Sequence, residues 1–270
     1  MTRGRISFRA QTVMDTKYLE VAKEAALNAA EVQRARFGDV SSFEYKEGNE
    51  IVTEADYRSE EAIKSVINER FPQHTVISEE SNPALELPPE HVWVVDPIDG
   101  TVNYQHGFSQ FCVGIALLDE QGVKVSAIHN PISKDMYTAV RDGGARLNGD
   151  PIGVSDTERM AQSLLAASWS NEEFSEKEIF DTLREIHTSS HGFRKTGSAV
   201  LSMALTAAGV FDGHCSISLG KWDVAAGILL VEEAGGKVTN LAGDDDHRKI
   251  IDDSIVATNG QIHESFREML

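Results

Sequence analysis

The sequence predicts a mixed α/β (α+β) chain in which helices and sheets stack in layers. Three observations predict it. Runs with helical periodicity are interspersed with short apolar runs of strand length. Several of those strands are joined by turns of hairpin length rather than by helices. And 270 residues with 41% hydrophobic side chains can bury one large core or two closely packed ones. We place the junction of two subdomains near residue 155, giving 15–155 and 156–270.

The elements follow in order. Residues 1–14 hold Arg3, Arg5 and Arg9 and no acid. Such a start fits either an organelle transit segment or an extension before the folded body, and we set it aside as a disordered extension. From Asp15 to Phe37, Leu19, Ala22, Ala26, Ala29 and Ala30 recur at helical spacing, and Gly38 closes the run. The stretch 43–50, FEYKEGNE, reads as a polar loop. A second helix is expected from about Asp56 to Arg70, with Ala62, Ile63, Val66 and Ile67 inward, ending before Pro72. Strands follow at TVIS (75–78) and HVWVV (91–95), the latter so continuously apolar that both of its faces must be buried. FCVGIALL, VKVSAIH and MYTAV are further strands, with turns at DEQG and NPISKD, and the Gly- and Asp-rich 141–152 ends the first half. The second half reads as a strand at 164–168, a helix over about 173–187, a helix around 198–208 and a strand within 209–217. An apolar helix then runs from Trp222 to Ala234, stopped by Gly235 and Gly236, before a last strand, SIVATNG, and a short terminal helix.

Charge and composition remove several functions. With 43 acidic and 25 basic residues the formal charge is −18, which repels a phosphate backbone, and no basic patch offsets it, so nucleic acid is not an expected partner. No apolar window is long enough to span a membrane. Cys112 and Cys215 are the two cysteines, too few for a disulfide scaffold, and a reduced cytoplasmic setting follows. The acids themselves allow two readings: a solvated, mutually repelling surface of the kind that suits high salt, or carboxylates that converge on cations.

Position separates the two. In VWVVDPIDGTVNY (92–104) an apolar strand ends in Asp96, Pro97 keeps that residue extended, and Asp99-Gly100-Thr101 turns the chain. Two acids three apart can then point into one pocket with the Ile98 carbonyl between them. Gly100 and Thr101 supply backbone N–H groups suited to an anion. Asp99 alone is equally well a turn or N-cap residue. Glu79 and Glu80 end a short strand and could be a solvated loop, while Asp223 and Asp56 each open a helix, where an acid favours the helix dipole. Together, at the ends of elements where sites are built, they form an oxygen-only set that selects hard cations, Mg²⁺ before Zn²⁺. Divalent cations in such a pocket balance the charge and let water attack phosphorus without a Ser, Cys or His nucleophile. No G-x-S-x-G elbow and no Walker A loop is present.

The ordered motifs EES, DPIDGTxNY, WDVAAG and EAGG resemble the inositol monophosphatase family of Mg²⁺-dependent, Li⁺-sensitive phosphatases, from about Asp15 to the C-terminus. The resemblance implies a layered αβαβα sugar-phosphatase fold, a homodimer, and small phosphorylated polyols or sugars as substrates. It implies two or three Mg²⁺ ions. Glu79, Asp96 and the Ile98 carbonyl would hold the first, Asp96, Asp99 and Asp223 the second, and Glu79 with water a third. It also assigns Thr101 and Asp56 as the pair that deprotonates water, with Glu80 supporting them. Asp99, Gly100, Thr101, Ser198 and Ser216 would contact the substrate, and Lys46 would stand on a loop near the outer metal. Ser216 occupies the place of the family's inositol-binding glutamate, and such departures occur in relatives that also take fructose 1,6-bisphosphate. Val102-Asn103-Tyr104 resembles the inositol branch rather than the nucleotide-phosphatase branch. Inositol-1-phosphate phosphatase is therefore the first reading. The alternatives are a fructose-1,6-bisphosphatase, a 3′(2′),5′-bisphosphate nucleotidase or a non-catalytic member. Arg194 and Lys195 read as solvated basic residues before a helix, with a second phosphate as their other use.

Overall fold

Five layers of secondary structure alternate through the molecule, helices, sheet, helices, sheet, helices, in a computed structural model that describes residues 3–39, 43–46, 51–169 and 176–270. Of residues 3–13 and 176–179 it describes the backbone alone.

The first layer is helix α1 (Arg3–Arg36) packed on α2 (Glu54–Arg70). The buried stripe of α1 is mostly alanine, with Ala22, Ala25, Ala26, Ala29 and Ala30 all inaccessible, so α2 approaches closely and presents Ile63, Val66 and Ile67. The helix begins at Arg3, before the expected Asp15, and after Gly4 no glycine or proline interrupts the chain up to Met14. Between the two helices, β1 (Phe43–Tyr45) and β2 (Ile51–Thr53) pair antiparallel where a loop was expected. Thr53 then caps α2 in a capping box with Asp56, an arrangement worth about 1 kcal/mol.

The second layer is a seven-stranded sheet, in spatial order β3 (Thr75–Ser78), β4 (Val92–Asp99), β5 (Cys112–Asp119), β6 (Gly122–His129), β7 (Met136–Val140), β8 (Gly144–Leu147) and β9 (Asp150–Pro151). Only the β3–β4 pair is parallel; the rest is an antiparallel meander. Every residue of β4 is buried, as its continuous apolar run requires. Trp93 and Val95 face α1 and α2, while Val92 and Val94 face the middle layer. The β4–β5 register breaks between Asp96 and Asp99, where Pro97 cannot donate to the ladder, and α3 (Thr101–Gln105) follows at once.

The chain continues through β10 (Leu164–Trp169), α4 (Glu176–Ser189), β11 (Gly192–Arg194), α5 (Ala199–Ala207), β12 (Gly213–Ile217), α6 (Trp222–Glu233), β13 (Lys237–Asn240), α7 (His247–Ile250), β14 (Ile255–Thr258) and α8 (His263–Arg267). Helices α5 and α6 form the middle layer, and α6 ends in a Schellman motif: Gly235, at φ +89°, donates to Glu232 and Gly236 to Val231. The second sheet has the order β11-β10-β12-β14-β13, with β11, β10 and β12 mutually parallel. Its outer face packs Leu165, Ala167, Cys215 and Val256 on Ile186 of α4 and on Ile262 and Phe266 at α8. The strands β8, β9, β11 and β13 and the helix α7 had no counterpart in the sequence reading.

Candidate active site

The break in β4 is the keystone of the site. Pro97 ends regular pairing, so Asp96 and Asp99 leave the same strand end toward the middle layer, where Asp223 opens α6. Carboxylate oxygens of Asp96, Asp99 and Asp223 lie within 4.8 Å of one another. Gly100 makes the turn possible: its φ is +99°, and a Cβ there would sit 3.0 Å from the Gly197 carbonyl and 3.2 Å from that of Gln110.

Each acid has a distinct environment. Asp99 crosses to the N-terminus of α5, where it accepts from the Ser198 hydroxyl and from the backbone N–H groups of Ala199 (3.2 Å), Val200 (2.8 Å) and Leu201 (3.4 Å). Burial outweighs those donors and pushes its pKa up to about 6. Asp96 is 1% exposed, and among the described residues neither of its oxygens has a hydrogen-bond partner. Burial raises it well above the usual carboxylate range, and Glu79, Asp99 and Asp223 push the same way. A buried carboxylate among three others with no donor is costly unless a cation joins it. The donors are carboxylates and the Ile98 carbonyl, which suits a hard divalent ion.

Glu79 and Glu80 converge on Lys46, whose Nζ lies 2.8 Å from Glu79 and 2.6 Å from Glu80. Burial works against the charged lysine, but the two carboxylates override it and hold the ammonium above its usual range. Burial, then Glu79, raise Glu80 to about 7. Asp56 is fully buried; its Oδ2 accepts from the Thr53 hydroxyl and N–H, and its Oδ1 from the Thr101 hydroxyl at 3.0 Å. Burial lifts its pKa to about 6. Thr101 Oγ1 also lies 3.1 Å from the Ile98 carbonyl.

A cleft of about 250 Å³ opens over this cluster, lined on one side by Glu79, Asp99, Gly100 and Thr101 and reached by Asp223. Ser198 is buried as the N-cap of α5 with its hydroxyl committed to Asp99, so it supports that acid and does not line the cleft. Ser216, expected to meet the substrate, is fully buried in β12 with Oγ 2.8 Å from His214 Nε2 and stands outside the lining. The pleat explains this: His214 and Ser216 share one face of β12, while Cys215 faces α4 and α8. Arg194 and Lys195 are both exposed; Lys195 also lines the cleft, its Nζ 3.5 Å over the Trp169 ring. Burial there lowers its pKa.

Other supporting residues escaped the sequence reading. Glu60, buried on α2, accepts from the Ser78 hydroxyl at 2.6 Å and from the Glu80 N–H at 3.1 Å, fixing the turn that carries both glutamates. Burial pushes Glu60 up, yet Lys64, Ser78 and Ser81 together hold it below the usual range. Asn103 donates to the carbonyls of Gln110 and Thr196, tying α3 to the segment before α5. The spacing of Glu60 four residues after Asp56, on one helix face, was the available signal for the first. Asn103 had no local signal, because its partner Thr196 is 93 residues away.

The sequence profile of the inositol monophosphatase family matches residues 14–270. An inositol-1-monophosphatase of Synechocystis sp. is 34% identical over 257 residues, covering 94% of this chain and 88% of the relative. The Nus factor SuhB of Escherichia coli is 34% identical over 250 residues, covering 90% and 92% respectively. Among solved structures, the extragenic suppressor protein SuhB from Bartonella henselae matches with a TM-score of 0.86 at 30% identity, over 94% of this chain and 98% of that one.

Proposed function

Since this chain belongs to the inositol monophosphatase family, we propose that it is a Mg²⁺-dependent phosphatase of small phosphate monoesters, converting inositol 1-phosphate to inositol and phosphate. The observation that carries the reading is Asp96: two buried carboxylate oxygens, unpartnered among the described residues, beside Glu79, Asp99 and Asp223. Glu79, Asp96 and the Ile98 carbonyl would hold one ion, Asp96, Asp99 and Asp223 a second, and Glu79 with water a third. A divalent ion there supplies charge neutralisation for the phosphate and leaving oxygens and makes nearby water more acidic.

The protein's own groups do the rest. Thr101 commits its hydrogen to Asp56 and keeps its lone pairs as acceptors for a water in the cleft. Asp56, poised at about pH 6, takes the proton passed through that hydroxyl. Glu80 supports the water network from the next position along. Gly100 and Thr101, opening α3, direct N–H groups at the phosphate. Ser198 and the α5 N-terminus keep Asp99 aimed.

Fructose 1,6-bisphosphate is a second substrate favoured by one observation: Ser216 puts no carboxylate toward the cleft to receive polyol hydroxyls. A homodimer in the cytoplasm accompanies both readings. Among the described residues no helix is long and apolar enough to cross a membrane. The test is a panel of inositol 1-phosphate, fructose 1,6-bisphosphate and a nucleotide 3′,5′-bisphosphate compared by kcat/KM at saturating Mg²⁺. Inositol 1-phosphate should rank first; a better rate on the fructose ester reverses the order of the two readings, and no release from any of them refutes both.

A further inference from the structure

Two walls of different origin face each other across the cleft. The first comes from the end of the seven-stranded sheet and carries the acids Glu79 and Asp99 with Gly100 and Thr101. The second comes from the carboxyl ends of the parallel strands β10 and β11 and carries Ser168, Trp169 and Lys195. Carboxyl ends of parallel strands are where open α/β sheets place ligand contacts.

Three features of the second wall lack a use in the chemistry described above. Lys195 is the one cation lining the cleft among the described residues. Its ammonium sits 3.5 Å over the Trp169 ring, a contact that orders a long flexible side chain before any ligand arrives. No carboxylate perturbs it; burial alone does. Beside it, Ser168 is 8% exposed and lines the cleft, yet its hydroxyl is buried without a hydrogen-bond partner among the described residues. Buried hydroxyls are nearly always satisfied, so one left open on a cleft wall beside an ordered cation marks a place for a ligand's polar group.

We propose that Lys195, Trp169 and Ser168 form an anion subsite that lowers KM for phosphate monoesters bearing a second anionic group, making them further substrates beside inositol 1-phosphate. The acid wall takes the phosphate to be cleaved. The lysine wall takes the other anion, with Lys195 as the ionic contact and the Ser168 hydroxyl donating a hydrogen bond. This inference rests on the phosphatase reading for the acid wall, but its recognition step stands independently of turnover.

The test compares three substrates in wild type, K195M and K195R: inositol 1-phosphate, a sugar bisphosphate and a phosphoglycerate. The last two separate a second phosphate from a carboxylate as the preferred anion. The quantity read is the ratio of kcat/KM for each dianionic-type substrate to that for inositol 1-phosphate. K195M should lower the ratio roughly tenfold or more, chiefly through KM, and K195R should retain most of it. A drop confined to one of the two substrates identifies which anion the subsite takes. The same ratio is read as calorimetric Kd values with Mg²⁺ present, in the same variants and in W169F. If wild type turns over none of the three, the phosphatase reading fails while the affinity ratios still decide the subsite. Ratios in K195M within twofold of wild type, by both rate and affinity, overturn the proposal and leave Lys195 as a packed rim residue.

Discussion

Replacing Asp96 by asparagine should move stability and activity in opposite directions. Asp96 is 1% exposed, both of its oxygens lack partners among the described residues, and burial together with Glu79, Asp99 and Asp223 disfavours its charge. Asparagine has the same shape, removes one negative charge, and brings an amide that can donate to the neighbouring carboxylates. An unpaired buried polar or charged group costs on the order of 1–3 kcal/mol. At about 2–3 °C per kcal/mol for a chain of this size, the metal-free D96N protein should melt roughly 2–9 °C above wild type at pH 8. The gain depends on pH with a definite sign. Between about pH 4, where an unfolded aspartate titrates, and the raised native value, folded wild type keeps a proton on Asp96 that the unfolded chain has released. Wild-type stability therefore falls as pH rises through that window. The D96N advantage should be near zero at pH 4 and grow toward pH 8. With Mg²⁺ present the order inverts, because wild type gains binding energy that the variant largely forfeits. Phosphatase activity should fall by at least about a thousandfold, the worth of several kcal/mol of lost charge stabilisation. Scanning calorimetry in EDTA and in Mg²⁺, at pH 4 and pH 8, reads the stabilities, and a phosphate-release assay reads the activity. A D96N protein less stable than wild type in EDTA at pH 8, or one with near-normal turnover, would refute the assignment of Asp96 as a cation ligand.

Two further outcomes follow from the same geometry. Thr101→Ala removes the hydroxyl that links water to Asp56, so kcat should fall roughly 10²- to 10⁴-fold with little change in KM, and Thr101→Ser should recover most of the loss. An unchanged kcat in the alanine variant would exclude the dyad. Gly100→Ala places a Cβ 3.0 Å from the Gly197 carbonyl at a φ of +99°, which should cost about 1–3 kcal/mol of stability and lower activity by shifting Thr101. Urea denaturation showing no loss would mean that the turn relaxes freely.

Much of this architecture was legible because it depends on local pattern. The alanine stripe of α1, the unbroken apolar run of β4 and the glycine pair after α6 each specify their element without help from distant residues. The Asp96-Pro97-Ile98-Asp99-Gly100-Thr101 turn was legible for the same reason, since proline, an αL glycine and flanking acids leave few conformations. What escaped was set by partners far along the chain. The strands β1, β8, β9, β11 and β13 are two to four residues long and exist because a neighbour pairs with them. Asp99 reads as a turn residue until α5, 99 to 102 residues onward, closes over it with four donors. Ser216 depends on the sheet in the same way. Its position before Trp222 and Asp223 suggested a substrate contact, but the pleat of β12 turns it to His214. Lys195 is solvent-exposed as its sequence context suggests, and its place over the Trp169 ring at the cleft depends on the adjacent parallel strand.

The acidic charge of −18 likewise resolves into two populations. Most acids remain on the surface, whereas Asp56, Asp96 and Asp99 are buried together and Glu79 and Asp223 join them at the cleft. That burial supports the proposed reading, in which cations share the pocket and the site acts on an anion. Release of inorganic phosphate from inositol 1-phosphate, titrated with Mg²⁺ into EDTA-stripped protein, tests this most directly. We expect no measurable release without metal and saturable, multi-site activation as Mg²⁺ is added, in parallel with a rise in melting temperature. Metal-independent release, or a melting temperature indifferent to Mg²⁺ at pH 8, would contradict the account.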